Sequence, residues 1–282
     1  MVLHSTSHLP ARHAATPPTE LYAQLTQRNE GFLTPAAQAK VRSSRLLVAG
    51  CGLGSVIAEL ALRTGFERLL VADGDTVATH NLNRQMYTQR DVGRGKAASL
   101  RRRLRAIHPD ADIQTHCRML TAASIPGIVA QADVVIDTID LLDVQAVFAL
   151  HRETRRQGKV VIAPFTLGWG GAALVFTPNG ISIEAMTTHQ GALPRTHQEL
   201  FSALLACFPE RIPAYVIEAF RQVMVDLAEG TACSGPQLGV STFLTAAVTA
   251  ATAVRVVLGM PVATAPEPIF FDPTVHSGVA AG

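Results

Sequence analysis

Charge is scarce in this chain. Charged residues make up 16% of its 282 positions, aromatics 5%, and Trp169 is the single tryptophan. Basic and acidic residues nearly balance, 24 against 22, so the net charge is only +2. That excludes the strongly basic face expected of a nucleic-acid binder or an anionic-membrane binder. The one dense basic run, Arg101-Arg102-Arg103 with Arg105, falls in a helical pattern and reads as a solvated helix face. Cysteine is also sparse: Cys51, Cys117, Cys207 and Cys233, with no Cys-x-x-Cys pair. Such usage argues against a disulfide framework or a four-cysteine zinc site, and a reducing cytoplasm is expected. No apolar run of signal-peptide type occurs in the first 20 residues, which are rich in His, Ser, Thr and Pro. Residues 1–30 are expected to form a flexible N-terminal arm. The longest apolar stretch, Val240–Met260, carries several threonines and Arg255. It is expected to be a helix buried against a sheet or a partner subunit rather than a membrane span.

Hydrophobic residues, at 48%, are ample for a large core. Arg45–Ala49 reads as a buried strand ending in glycines, Val56, Ile57, Leu60 and Ala61 repeat at helical spacing, and Gly65 ends that helix. Leu69–Ala72 is a second strand ending on Asp73. A helix over Lys96–Ile107 is stopped by Pro109, with strands following at Ile113–Cys117 and Asp133–Asp137. A helix from about Leu142 to Gln157 and a strand over Lys159–Ala163 complete the alternation. The expected fold is therefore α/β, a Rossmann-like, doubly wound and mostly parallel sheet. Past Thr166 the pattern changes. Gly168, Gly170 and Gly171 introduce a strand over Ala172–Phe176, expected to be antiparallel, so antiparallel strands extend the sheet in the C-terminal half. Residues 181–211 look loop-rich. Ile217, Phe220, Met224 and Leu227 mark an amphipathic helix ended by Gly230, and Ile269–Phe271 is a last strand. No linker divides residues 31–282, which read as a single domain with a nucleotide half (about 40–165) and an acceptor or dimer half (about 166–282).

The turn Gly50-Cys51-Gly52-Leu53-Gly54-Ser55 joins a strand directly to a helix. Free N–H groups and the helix dipole at such a start attract phosphate. Alone the motif is weak. With flanking strands and Asp73 at the end of the second, placed to accept from ribose hydroxyls, it marks a nucleotide site. Downstream lies a dense polar run: Asp73-Gly-Asp75, then Asn81-Leu-Asn83-Arg84-Gln85, then Lys96 after Gly93-Arg-Gly95. Asn81, Arg84 and Lys96 can contact phosphate oxygens, and Asp137 or Asp140 could hold Mg²⁺. A nicotinamide-dependent oxidoreductase, the rival reading, has no use for this array. Read blandly, Asp137 is a capping residue, and Trp169 a packing residue with a place lining an acceptor groove left open.

These motifs, in this order and near this spacing, resemble the ThiF/MoeB/HesA family, bacterial relatives of ubiquitin-activating enzymes. The resemblance is specific over about residues 40–145. It implies an ATP- and Mg²⁺-dependent adenylyltransferase, usually a homodimer, acting on a carboxylate of a small ubiquitin-like protein or a ribosomal precursor peptide. Carried over, it implies that Gly50, Gly52, Gly54 and Ser55 lie along the ATP phosphates and that Asp73, with Asp75 beside it, serves the ribose end. Asn81, Arg84 and Lys96 would contact the phosphates, and Asp140 would place Mg²⁺; where many relatives have Asn after this aspartate, this chain has Leu141. Arg28 is the candidate for an arginine that reaches the neighbouring subunit's ATP. Cys233 roughly matches the position of a catalytic cysteine in relatives, against a plain loop residue as the alternative. A tRNA threonylcarbamoyladenosine dehydratase-like enzyme is a further possibility within the resemblance, one that the near-neutral charge disfavours. So is an inactive member serving as a binding subunit, which the intact phosphate-site residues disfavour.

Overall fold

The protein is described by a computed structural model covering residues 19–188, 191–207, 212–228 and 236–276. In chain order its elements begin with α1 (Glu20–Thr26), α2 (Pro35–Ser43), β1 (Arg45–Ala49), α3 (Leu53–Thr64), β2 (Arg68–Ala72) and α4 (Lys96–Ile107). Next come β3 (Asp112–His116), α5 (Ile125–Ala130), β4 (Val134–Asp137), α6 (Val144–Arg156), β5 (Val160–Leu167) and β6 (Gly170–Phe176). The last part holds α7 (Ile183–Thr187), α8 (His197–Ala206), α9 (Ala214–Ala228), α10 (Gly239–Leu258), β7 (Ile269–Phe271) and α11 (Pro273–His276).

A single seven-stranded sheet runs in the order β3-β2-β1-β4-β5-β6-β7. Strands β1 to β5 pair in parallel, whereas β6 is antiparallel to both β5 and β7. The mixed α/β architecture is the one expected. Chain order reverses between β1 and β4, which opens a crevice at the carboxyl ends of those strands. Both faces are buried, and the side chains alternate between them as the strand period requires. Leu46, Val48, Leu69 and Val71 pack into the core on the α3/α4/α10 side. Leu47, Ala49, Leu70 and Ala72 pack on the α5/α6 side.

The long apolar helix is a core element. α10 buries Thr242, Thr245, Thr249 and Thr252 together with Ala246, Ala250 and Ala253. Three of the four threonine hydroxyls bond back along the helix, Thr242 to the Leu238 carbonyl, Thr249 to that of Thr245 and Thr252 to that of Val248, whereas the buried Thr245 hydroxyl has no partner among the described residues. Gly259, at φ +71°, ends the helix in the left-handed region.

Three expectations need correction. Residues 20–29 are not arm: α1 and the 3-10 turn Gln27–Asn29 dock on the core, with Tyr22 buried and its hydroxyl donating to the Gly65 carbonyl at 2.9 Å. The stretch 181–211 contains α7 and α8, and α8 opens on a capping box of Thr196 and Glu199. β5 runs on from Ala163 to Leu167. Pairing with β4 ends at Ile162, so Pro164 removes no bond to that strand and β5 can continue against β6. Gly230, expected to end α9, lies outside the described residues.

Candidate active site

The glycine loop crosses the β1/β4 reversal, and its glycines have separate reasons to be there. Gly50 sits at φ +94°, and a Cβ on it would fall 2.1 Å from the Thr138 carbonyl oxygen. Gly54 is pressed between Thr138 and Val48, each 2.6 Å from the position of an added Cβ. Both are demanded by packing against β1 and the β4 end. Gly52 is different: an added Cβ would meet only the Gln85 amide, at 3.3 Å. Among the described residues no carbonyl takes the N–H groups of Gly52, Leu53 and Gly54, so the first turn of α3 offers them to an anion. Beside Gly52, the Gln85 side chain is buried and its Oε1 has no partner. The Gln85 atom nearest Gly52 is Nε2, an amide donor that can face an anion at this helix start.

Ser55 does not present its side chain to that space. It is fully buried; its hydroxyl donates to the Gly52 carbonyl at 2.7 Å and accepts from Met86 N–H at 3.0 Å. The residue ties the loop to the polar run that follows β2. Thr138 is a second tie, its hydroxyl lying 2.9 Å from the Ala49 carbonyl and 2.7 Å from that of Gly50. Tyr87 is a third, donating to the Cys51 carbonyl at 2.8 Å.

Asp73 ends β2 and accepts from Cys51 N–H at 2.6 Å and from Asp75 N–H at 2.7 Å. Burial raises its pKa above the ordinary carboxylate value, opposed by those two backbone hydrogen bonds. Each oxygen keeps a lone pair for a ribose hydroxyl. Asp75 pairs with Lys96, Oδ2 to Nζ at 2.9 Å, so Lys96 is held over this end of the loop. Asn81 is buried, and its Oδ1 accepts from Ala78 N–H at 3.0 Å. That leaves the amide N–H₂ as the group it can offer to a phosphate.

Arg84 is held on three sides. Its Nε donates to Gln237 Oε1 at 2.6 Å, and its Nη1 donates to the His80 carbonyl and to Asn83 Oδ1 at 3.1 and 2.8 Å. Burial lowers its pKa, and the nearby charge of Asp140 partly restores it. Asp140 is exposed; Oδ1 accepts from Leu142 N–H at 3.0 Å, and Oδ2 is open. Among the described residues no group of three or more His, Cys, Asp or Glu could enclose a metal. An ion at Asp140 would thus take its other oxygens from phosphate and water, the usual environment of Mg²⁺ with nucleotides. Asp137 points away from the crevice, its Oδ2 bonded to His151 Nε2 at 2.9 Å in a pair where both side chains are buried.

The structure thus brings the glycine loop, Asp73, Asp75, Asn81, Arg84, Lys96 and Asp140 to one edge of the sheet. Arg28 does not join them in this chain. It is exposed in the 3-10 turn beside Asn29, whose amide bonds Thr64 at the far end of α3. A helix of that length separates it from the glycine loop by about 18 Å. Cys51 is buried and its thiol pKa is pushed far up by burial, Cys207 is half-buried, and Cys117 is exposed just beyond β3. Cys233 lies outside the described residues. Sequence reasoning missed Thr138, Tyr87 and Gln237 as parts of the site. Thr138 had one available signal, its place at the strand end next to Asp137. Gln237 had none. A cleft of about 800 Å³ lined by Leu120, Phe148, Arg152 and Leu193 lies along α6 and includes none of the glycine-loop residues.

Fold and site together define a doubly wound α/β protein whose glycine loop lies at the same sheet edge as an arginine, a lysine and a carboxylate. The chain belongs to the ThiF family, whose model matches residues 26–277. It is similar to the sulfur carrier protein ThiS adenylyltransferase of Bacillus subtilis (strain 168), 36% identical over 110 residues, covering 38% of this chain and 33% of that protein. The protein of the same name from Escherichia coli (strain K12) is 31% identical over 143 residues, 50% of this chain and 56% of that one. The chain thus matches about half or less of the length of these curated relatives. Among solved structures, PaaA superposes with a TM-score of 0.66 at 15% identity, over 95% of this chain and 83% of PaaA. E. coli MccB with ATP does so at 0.63 and 14%, over 90% and 68%. Both likenesses concern the fold.

Proposed function

We propose that this protein uses ATP to adenylate a carboxylate of a small ubiquitin-like protein or a precursor peptide. The observation that carries this reading is the grouping of Arg84, Lys96 and Asp140 around the free N–H groups of Gly52, Leu53 and Gly54. Hydride transfer would use the loop and Asp73 but would leave those three residues without a task. The relatives named above are adenylyltransferases, and a ubiquitin-like acceptor agrees with the 29% identity to a SAMP-activating enzyme E1 of Haloferax volcanii over 148 residues.

In the proposed reaction an acceptor carboxylate oxygen attacks the α-phosphorus of ATP. The bond from that phosphorus to the bridging oxygen breaks, and pyrophosphate leaves with the electron pair. Negative charge develops on the α-phosphoryl oxygens and on the leaving group. Arg84, held in one orientation by Gln237, Asn83 and the His80 carbonyl, meets that charge without reorganising. Lys96 supplies a second cation and the loop N–H groups a set of fixed dipoles. Mg²⁺, placed by Asp140, would add Lewis-acid charge to the phosphates. Asp73 would accept from the ribose.

The acceptor half, about 166–282, would receive the partner. A homodimer is part of this reading. Since Arg28 stands at the far end of α3, it could serve a nucleotide only across a subunit boundary. Cys233 belongs to a second step of this reading, thioester formation. A cytoplasmic location accords with the free thiols of Cys51, Cys117 and Cys207. The test is ATP–pyrophosphate exchange with candidate acceptors, run with Arg84→Ala alongside. Exchange that depends on the acceptor and disappears in the variant supports the reading. NAD(H) binding with no exchange from any carboxylate overturns it.

A further inference from the structure

The β5–β6 hairpin stands beyond the rest of the parallel sheet. β5 last pairs with β4 at Ile162 but continues to Leu167, paired with β6 through Leu167↔Gly170. At about 3.3 Å per residue, those five residues carry the turn about 16 Å past the carboxyl edge on which the nucleotide site lies. At its tip is Trp169, with 49% of its surface exposed.

An exposed tryptophan on a loose turn would mean little, but this turn is clamped. Gly168 takes φ +58°, with the Tyr215 ring 2.4 Å from where a Cβ would stand. Trp169 N–H donates to Tyr215 Oη at 3.1 Å, and that hydroxyl donates to Asp272 Oδ2 at 2.6 Å, on a residue with no exposed surface. On the other side, Ser241 Oγ donates to the Gly170 carbonyl at 2.6 Å. The backbone is fixed while the indole faces solvent, which is the form of a preorganised contact anchor.

The same clamp reaches the phosphate cluster. Four residues before Ser241, Gln237 holds Arg84, and a Cβ on Gly239 would stand 2.6 Å from the Asn83 carbonyl oxygen. Segment 237–241 thus bridges Arg84 and the Trp169 turn: its backbone covers about 10 Å, two non-helical residues leading into the first turn of α10, and the side chains of Gln237 and Ser241 lengthen the bridge to about 15 Å. We propose that Trp169 is a docking platform for the acceptor, and that it grips an apolar side chain four or five residues ahead of the carboxylate to be activated. An extended peptide covers about 15 Å in that number of residues. The inference rests on the adenylation reading for the position of the carboxylate.

Because Trp169 is the only tryptophan, its emission reports on the platform directly. The probes are octapeptides of Gly and Ser with a free C-terminal carboxylate and one Phe moved through each position. The expected result is an emission shift, and a KM in pyrophosphate exchange at least tenfold lower, when Phe stands four or five residues before the C-terminus. Trp169→Ala should erase that positional preference and leave the KM for ATP within about twofold, while Trp169→Phe retains it in part. A series in which no peptide moves the emission up to millimolar concentration overturns the platform, as does a positional preference that survives Trp169→Ala. Emission that changes with protein concentration alone, together with dissociation of Trp169→Ala into monomers, assigns the surface to a second copy and also overturns it. Position-dependent emission without any exchange leaves the platform standing and sinks the adenylation reading instead.

Discussion

Arg84 and Gln237 stand 153 positions apart in sequence and are joined by a 2.6 Å hydrogen bond from guanidinium Nε to amide Oε1. The bond makes the entry to α10 part of the candidate site, and among the described residues Nη2 of Arg84 has no hydrogen-bond acceptor. Arg84→Ala is expected to reduce pyrophosphate exchange by at least about 10²-fold, the usual cost of removing one transition-state donor, with the fold retained. Gln237→Ala leaves the charge in place but frees it to rotate, so kcat should fall by less, with the KM for ATP nearly unchanged. Steady-state exchange kinetics on both variants check this; a kcat for Gln237→Ala equal to that of the original chain would remove its positioning role.

Gly50 and Gly52 should respond oppositely to alanine. Gly50→Ala forces a side chain at φ +94° into the Thr138 carbonyl, a change expected to destabilise by roughly 2 kcal/mol or more. Gly52→Ala meets only the Gln85 amide. Its stability should stay within about 1 kcal/mol, while nucleotide affinity falls because the methyl group stands where phosphate must approach. Urea unfolding and ATP titration separate the two effects.

His151 and Asp137 form a buried pair with side-chain exposures of 3% and 6%. The Asp137 carboxylate also accepts from Ile139 N–H at 3.1 Å, which shapes the turn carrying Thr138 and Asp140. Removing one partner strands the other. His151→Ala should cost about 3–5 kcal/mol. The double variant Asp137→Asn/His151→Gln should recover part of that loss. Chemical denaturation of the three proteins decides; a double variant no better than His151→Ala alone would show that the pair is not the source.

Acidification should weaken nucleotide binding earlier than an ordinary aspartate would dictate. Burial raises the Asp73 pKa, so its protonated form sets in at a higher pH than for an ordinary aspartate. The sign for stability follows: a carboxylate with a raised folded pKa favours the folded state most at pH below its unfolded pKa, and this contribution is lost as pH rises through the folded value. Binding runs the other way, because protonated Asp73 is the poorer acceptor for a ribose hydroxyl. Adenosine affinity measured from pH 7 downward should fall in the original chain and stay flatter in Asp73→Asn. Parallel profiles would show that another group controls the loss.

Local patterns were enough for most of the parallel half. β1, α3 and α4 come from continuous apolar runs, helical spacing and terminating glycines, all of which act within a dozen residues. The helices α1, α7 and α8 escaped because they are short, and their stability comes from tertiary contacts such as the Tyr22 hydroxyl on Gly65 rather than from periodicity. The continuation of β5 past Ala163 escaped for a related reason: whether Pro164 is tolerated in a strand depends on where the neighbouring strand ends.

On its own, the sequence determined the doubly wound fold, the glycine loop and the residue types gathered after Asp73, since backbone turns, helix starts and strand burial are set by near neighbours. Only the tertiary structure decided which of those residues remain free to act. It turned Ser55 inward, engaged Asp137 with His151, joined Lys96 to Asp75, placed Arg28 at the far end of α3 and brought Gln237 to Arg84. Each of those outcomes depends on a hydrogen-bond partner that another element supplies, and spacing along the chain carries no information about such partners.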